Sequence, residues 1–162
     1  MFQLKQKITP FLWYDTQAQQ AAELYLRVFG QGSVLHQQLW GIGGPYPAGG
    51  LMSVTLELHG QTLVAFNGGP HFKLNEAASL FVTCDTAAEV DHLWEGLTAN
   101  GGSASQCGWL KDPFGLSWQI VPKAFLQMMS DTDGARVTRV MQAMMAMGKL
   151  DMVLLQRAYD GA

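Results

Sequence analysis

Apolar residues recur along the chain with two alternating periods, and the switch points divide it into a repeated pattern. KITPFLWYD (7–15) is β-rich and apolar, and Thr16 behind it is placed to cap a helix. In TQAQQAAELYLRVF, Ala18, Ala21, Ala22, Tyr25 and Phe29 fall at helical spacing, and Gly30 and Gly32 end the run. SVLHQQLWGIG reads as a strand, and PYPAGG as a loop whose prolines and glycines forbid regular structure. LMSVTLELHGQTLVAFNGG predicts a hairpin: Met52, Val54, Leu56 and Leu58 alternate with Ser53, Thr55, Glu57 and His59, and the turn falls at His59-Gly60-Gln61. The predicted order is βαβββ.

The next stretch repeats it. SLFVTCD (79–85) is a short apolar strand, and Thr86 again precedes a helix. TAAEVDHLWEGLTAN carries Val90, Leu93, Trp94 and Leu97 on one face and closes at Asn100-Gly101-Gly102. CGWLKDPFGLSWQIVP predicts a hairpin across Asp112-Pro113-Phe114-Gly115. Sliding the chain by 70 positions lays Phe11 on Phe81, Asp15-Thr16 on Asp85-Thr86, Ala18 on Ala88 and Gly32-Ser33 on Gly102-Ser103, without a gap. The identities fall at the punctuation points, which reads as an internal duplication. After Pro122 two or three short helices are expected, with Val137, Val140, Met141, Met144 and Met147 as a packing stripe, Asp131 or Asp133 starting one helix and Gly148 ending it. The predicted organisation is a first module over 1–69, a second over 70–121 and a helical extension over 122–162, forming one structural domain.

Composition narrows the function classes. The 162 residues are 48% hydrophobic and 14% charged, with a net charge of -3, so no basic footprint points to nucleic acid. Cys84 and Cys107 are too few for a disulfide framework, and no Cys/His zinc spacing occurs. The N-terminal MFQLKQKITPF has no signal-peptide core, and no apolar run approaches the ~18 residues of a membrane span. A cytoplasmic globular protein without membrane contact is expected.

ITPFLWYD, FNGGPHFKLNEAASLFVTCD and QCGWLKDPFGLSWQIVP, with a C-terminal LDMVLLQRAY, resemble the PhnB-like branch of the vicinal-oxygen-chelate superfamily. That superfamily includes glyoxalase I, extradiol dioxygenases and bleomycin-resistance proteins, and many members of the branch carry the label 3-demethylubiquinone-9 3-methyltransferase. The resemblance covers nearly the whole chain. It implies an α+β fold in which two βαβββ modules form a curved mixed sheet around a cavity. It also implies a homodimer, with modules exchanged between subunits in some members. Metal-dependent relatives place His or Glu ligands on the first and last strands of each module.

Strand parity shows what stands at those places here. Ser79, Phe81 and Thr83 are assigned to the cavity, and the shift of 70 adds Thr9, Phe11 and Trp13. Ser117, Gln119 and Val121 face inward on the last strand, as do Leu63, Ala65 and Asn67 on the last strand of the first module. The inward polar set is thus Thr9, Asn67, Ser79 and Gln119: neutral hydroxyls and carboxamides that do not hold a divalent zinc, nickel or iron ion. No metal and no cofactor are expected. For S-adenosylmethionine the one glycine-rich candidate, Gly41-Ile42-Gly43-Gly44, runs into Pro45-Tyr46-Pro47 and a hairpin rather than a helix.

The stretch Asn67-Gly68-Gly69-Pro70-His71-Phe72 is expected at the cavity mouth, its glycine N–H groups free to meet a carbonyl or an anion. Cys107, Trp109 and Lys111 share one parity and are expected to form a wall. His36, His59 and His92 read as solvent-facing. Two functions follow. The first is a metal-free binding protein enclosing a small apolar or aromatic ligand among Phe11, Trp13, Phe81 and Gln119, with Phe72 alongside. The second is a lyase or isomerase in which His71 moves a proton while Asn67 or Gln119 holds an oxyanion.

Overall fold

The computed structural model describes residues 2–162. The chain forms two compact units, one ending at Leu74 and one running Asn75–Ala162. The first contains β1 (Phe11–Tyr14), α1 (Ala18–Phe29), β2 (Gly32–Leu39), β3 (Leu51–Leu58) and β4 (Gln61–Asn67). Its sheet has the order β1-β4-β3-β2, with β1 parallel to β4 and the other pairs antiparallel. The second repeats the plan with β5 (Ser79–Cys84), α2 (Ala87–Thr98), β6 (Ser103–Ala104), β7 (Trp109–Lys111) and β8 (Ser117–Pro122), in the order β5-β8-β7-β6, with β5 parallel to β8. The expected duplication is therefore present in both sheets, although β6 keeps only two residues where β2 has eight.

One side of each sheet is covered by its helix. Along α1, Ala18, Ala21, Ala22, Tyr25 and Val28 are buried; the alanines let the helix lie close to the sheet, and the Tyr14 and Tyr25 hydroxyls meet at 2.9 Å. In the second unit Val90, Leu93, Trp94 and Leu97 pack from α2 against the face carrying Trp118 and Ile120. The aligned glycines of the repeat make the same contact twice. A Cβ on Gly32 would lie 2.2 Å from the Glu57 carbonyl oxygen, and one on Gly102 2.5 Å from that of Leu97 and 2.9 Å from that of Lys111. In both units the chain leaving the helix is pressed against backbone, with no room for a side chain.

The two helices begin differently. Thr86 caps α2 as expected: its Oγ1 accepts from the Glu89 amide (3.1 Å), and the Glu89 carboxylate accepts from the Asp85 amide (2.7 Å). Thr16 does not cap α1. Gln17 occupies the cap position, but its side chain accepts from the Thr16 amide (3.2 Å) rather than from the helix, and Asn67 Oδ1, at the end of β4, accepts from the Ala18 amide (2.8 Å) instead. The hairpin turns are as expected. His59 and Gly60 both have positive φ (45° and 82°), the geometry of a type I′ turn.

Asp112 organises the β7–β8 turn. It is buried, its Oδ1 accepts from the Phe114 and Leu116 amides (2.9 and 3.1 Å), and its Oδ2 accepts from Trp118 Nε1 (3.0 Å).

Beyond β8 come α3 (Lys123–Met129), α4 (Gly134–Met145) and α5 (Met152–Asp160). Val140 packs with Val121, Met128, Leu150 and Leu155 in a small core that Met144 and Met147 join, so part of the expected stripe is buried within this unit. Asp133 caps α4, but Gly148 does not end it; the Gly148 carbonyl accepts from the Gly108 amide (2.7 Å), and Met147 O accepts from Cys107 N (2.8 Å). Replacing Asp112 with Ala is expected to lower unfolding free energy by about 2–4 kcal/mol, because three N–H groups, two of them buried, lose their acceptor. Urea denaturation showing a loss under about 0.5 kcal/mol would contradict this account of the turn.

Candidate functional site

The face of the first sheet opposite α1 is aromatic. In the β1–β4 register, Phe11 stands opposite Val64 and Trp13 opposite Phe66, so these four side chains share that face. Phe66 packs against Phe11 (ring centroids 5.2 Å apart), Trp13 (5.1 Å) and Trp40 (5.9 Å). Phe72 meets Trp13 edge-on at 5.0 Å, and Tyr46 lies 5.2 Å from Trp40. Phe11 and Phe72 remain 61% and 66% exposed, so the cluster presents ring faces rather than a sealed core.

This register corrects the parity expected for β4. Leu63, Ala65 and Asn67 lie on the face toward α1, and Thr62, Val64 and Phe66 lie with Phe11 and Trp13. Asn67 is accordingly not a pocket residue; its Oδ1 serves the start of α1 and its Nδ2 donates to the Leu51 carbonyl (3.1 Å). Nor are the Gly68 and Gly69 N–H groups free for a ligand. They donate to Tyr14 O (2.9 Å) and Asp15 O (3.1 Å), prolonging the parallel pairing past Asn67. The glycines are needed for space. A Cβ on Gly68 would sit 2.2 Å from the Trp13 ring, and one on Gly69, where φ is 84°, 2.0 Å from the Tyr46 hydroxyl. Trp13 Nε1 donates to the Gly69 carbonyl (2.8 Å), which locks the indole over this strap.

His71 is exposed and has no hydrogen-bond partner among the described residues. With Asn67 committed to α1, the proton carrier and oxyanion donor expected from sequence are not brought together in this unit. Thr9 precedes β1 and donates to Gln6 O (3.4 Å), a local turn rather than a strand position. His36 is half-buried against the Phe2 ring (4.5 Å), His59 is exposed beside Phe29, and His92 is exposed.

In the second unit the face opposite α2 is polar, and the expected parity holds. Ser79, Ser117, Lys111 and Ser103 stand opposite one another in one row across β5, β8, β7 and β6; Phe81, Gln119 and Trp109 form the next row. Gln119 Nε2 donates to Ser79 Oγ (2.9 Å). Phe81 is half-exposed. An open recess of about 150 Å³ is lined by Trp109, Lys111, Ser117, Ser103 and Glu76, among others. Lys111 and Glu76 form an ion pair there, and that contact holds the Glu76 carboxyl below the usual carboxylate range.

Cys107 does not join Trp109 as a wall of the recess. It occupies a turn at φ 58°, with its amide bonded to the C-terminal segment. Cys84 is fully buried beside α2, and burial pushes its thiol up to about 12, so it stays protonated at neutral pH.

Sequence parity missed the aromatic partners Trp40, Tyr46 and Phe66. The PYP motif that marked a loop also carried Tyr46 onto Gly69, but nothing in its spacing indicated so.

Metal-dependent relatives of this fold imply a divalent cation. Ser79 and Gln119 are bonded to each other, Asn67 lies on the other face of its sheet, and all are neutral, so these positions do not fit such an ion. Among the described residues no group of three or more His, Cys, Asp or Glu side chains could hold a metal. The Gly41–Gly44 segment leads through turns to β3 and gives no helix N-terminus for a nucleotide-type cofactor. Among the described residues no helix is long and apolar enough to cross a membrane.

Two tandem βαβββ units define the glyoxalase/bleomycin-resistance fold class, and comparison with known proteins agrees. A PhnB protein from Bacillus cereus is 29% identical, with a TM-score of 0.65, covering 72% of this chain and 99% of that one. A Pseudomonas aeruginosa protein shares the fold at 22% identity and a TM-score of 0.60, covering 73% and 98%. A glyoxalase/bleomycin resistance protein from Albidiferax ferrireducens does so at 13% and 0.50, covering 70% and 95%. The profile of the 3-demethylubiquinone-9 3-methyltransferase family matches residues 6–121, and the chain belongs to that family. The match stops within β8, so α3, α4 and α5 lie outside it, although the sequence resemblance had been expected to reach the C-terminus. No curated protein matches the chain.

Two measurements check this site. Gly68→Ala is expected to displace the Trp13 indole and cost about 1–3 kcal/mol, as overpacking does; unchanged near-UV dichroism and urea midpoint would refute the tight strap. Elemental analysis of the purified protein is expected to return well under one equivalent of zinc, nickel or iron, and a stoichiometric metal would show that the donor set has been misassigned.

Proposed function

We propose that this protein binds a small organic molecule without chemistry, using the exposed ring cluster of the first unit to hold a flat apolar or aromatic group. The supporting observation is the pair Phe11 and Phe72, 61% and 66% exposed on a sheet face where Trp13 and Phe66 are already locked beneath and beside them. Leaving large rings in water is unfavourable, whereas a planar ligand stacked on them regains that area at little conformational cost, because the rings are held in place beforehand. The locked indole also limits which shapes fit. Trp13 is tied through Nε1 to Gly69 and cannot swing aside, so the platform favours flat groups over branched ones.

The family description names a methyl transfer, and the fold includes lyases; neither chemistry gains a matching set of groups from these residues. His71 stands alone, Asn67 is engaged with the backbone of α1 and Leu51, and Ser79 and Gln119 are engaged with each other.

Titration with 2-naphthol, followed by tryptophan fluorescence and by calorimetry, tests this reading. Saturable quenching is expected, weakened about fivefold to tenfold by Phe11→Ala, the loss of one aromatic contact of ~1–1.5 kcal/mol. Equal affinity in the variant and the parent would remove the aromatic face from consideration, and native mass spectrometry of the freshly purified protein would then show whether any ligand is retained.

A further inference from the structure

The recess of the second unit contains a hydroxyl that the fold does not use. Ser117 is 1% exposed, and its Oγ has no hydrogen-bond partner among the described residues, although nearly every buried polar group in a folded protein has one. Its side chain lines the recess beside Lys111, which stands directly opposite it on β7. Lys111 and Glu76 are the charged side chains of the lining, and Trp109 supplies an aromatic wall.

We propose that this recess is a binding site for a carboxylate attached to a flat apolar group. The carboxylate would accept from Lys111 Nζ and from the Ser117 hydroxyl, while the apolar part lies along Trp109. The choice of carboxylate rests on the group already present. Glu76 comes from the segment before β5, is itself largely exposed, and places its carboxylate on Lys111. It therefore acts as an internal stand-in that keeps the lysine neutralised until a ligand displaces it. Its carboxyl is held below the usual range by that contact, so it remains ionised and competes through the whole neutral range. A phosphate is less well matched. The lining offers one lysine and no arginine, so it cannot balance a dianion or grip it bidentately. The recess, about 150 Å³ and open to solvent, has room for a carboxylate and part of a ring.

This inference goes beyond the aromatic-face reading and uses other residues, so either can fail alone. The test is an NMR titration with sodium benzoate, read at the Trp109 indole N–H, with neutral benzamide as control. Benzoate is expected to shift that signal and benzamide to leave it unmoved. Glu76→Gln removes the competitor and is expected to tighten benzoate binding roughly threefold to fivefold, the scale of a partly exposed ion pair. Lys111→Gln is expected to abolish the preference for benzoate over benzamide. Ser117→Ala is expected to weaken binding severalfold while melting no lower than the parent, since it gives up no bond within the protein. Benzoate shifting Trp109 only in Glu76→Gln would support the stand-in role in its strong form. No shift in either protein, an unchanged affinity in Ser117→Ala, or weaker binding in Glu76→Gln would overturn the proposal.

Discussion

In each unit the first strand runs parallel to the last, and most of the surface chemistry depends on that pairing. β1 against β4 and β5 against β8 bring residues from opposite ends of a unit into one register, so that Phe11 and Trp13 line up with Val64 and Phe66, and Ser79 and Phe81 with Ser117 and Gln119. A parallel pair cannot be made by a tight turn; it needs a crossover connection, which the helix and the intervening strands provide here. The same pairing decides which side chains meet the helix and which meet solvent, because a slip of one residue would exchange the two faces. An aromatic face in one unit and a polar one in the other follow from similar registers acting on different residues.

The fold was largely legible in the sequence because its boundaries are written in residues with few alternatives. The Gly32 and Gly102 positions tolerate no Cβ, His59-Gly60 requires positive φ, and Thr86 with Glu89 forms a local cap. The candidate site was only partly legible. Parity could be read for β5 and β8, where polar Ser79, Ser117 and Gln119 mark one side. It could not be read for β4, a central strand buried on both faces, in which Leu63, Val64, Ala65 and Phe66 form a continuous apolar run. That ambiguity placed Asn67 on the wrong face. Trp40 was expected within the strand SVLHQQLWGIG, but β2 stops at Leu39, so Trp40 and Tyr46 approach Phe66 and Gly69 from the loop beyond it, whose path carries no periodic signal.

The C-terminal helices are joined to the second unit by backbone as well as by packing. The Cys107 and Gly108 amides donate to the Met147 and Gly148 carbonyls, and the Gly108 carbonyl accepts from the Ile120 amide on β8. Lys149 adds an ion pair to Asp91 on α2, and Lys123 one to Asp85. The Lys123 pair is exposed and the Lys149 pair only part-buried, so both contribute little to stability, whereas the backbone bonds next to Leu150 are set into a small core of their own.

The asymmetry between the two helix starts bears on the order in which the chain folds. The first turn of α2 is held by Thr86 and Glu89, residues within one turn of each other, so it needs nothing distant to begin. The first turn of α1 is held by Asn67, 49 residues away along the chain, and is completed only when the final strand of its sheet has docked. Closing so long a loop costs entropy before the cap repays it, so the α2 cap can form together with its own helix while the α1 cap forms only once its sheet is in place. A duplicated architecture therefore ties down its two helices in different ways, one local and one long-range, and the difference lies in which side chain reaches one amide.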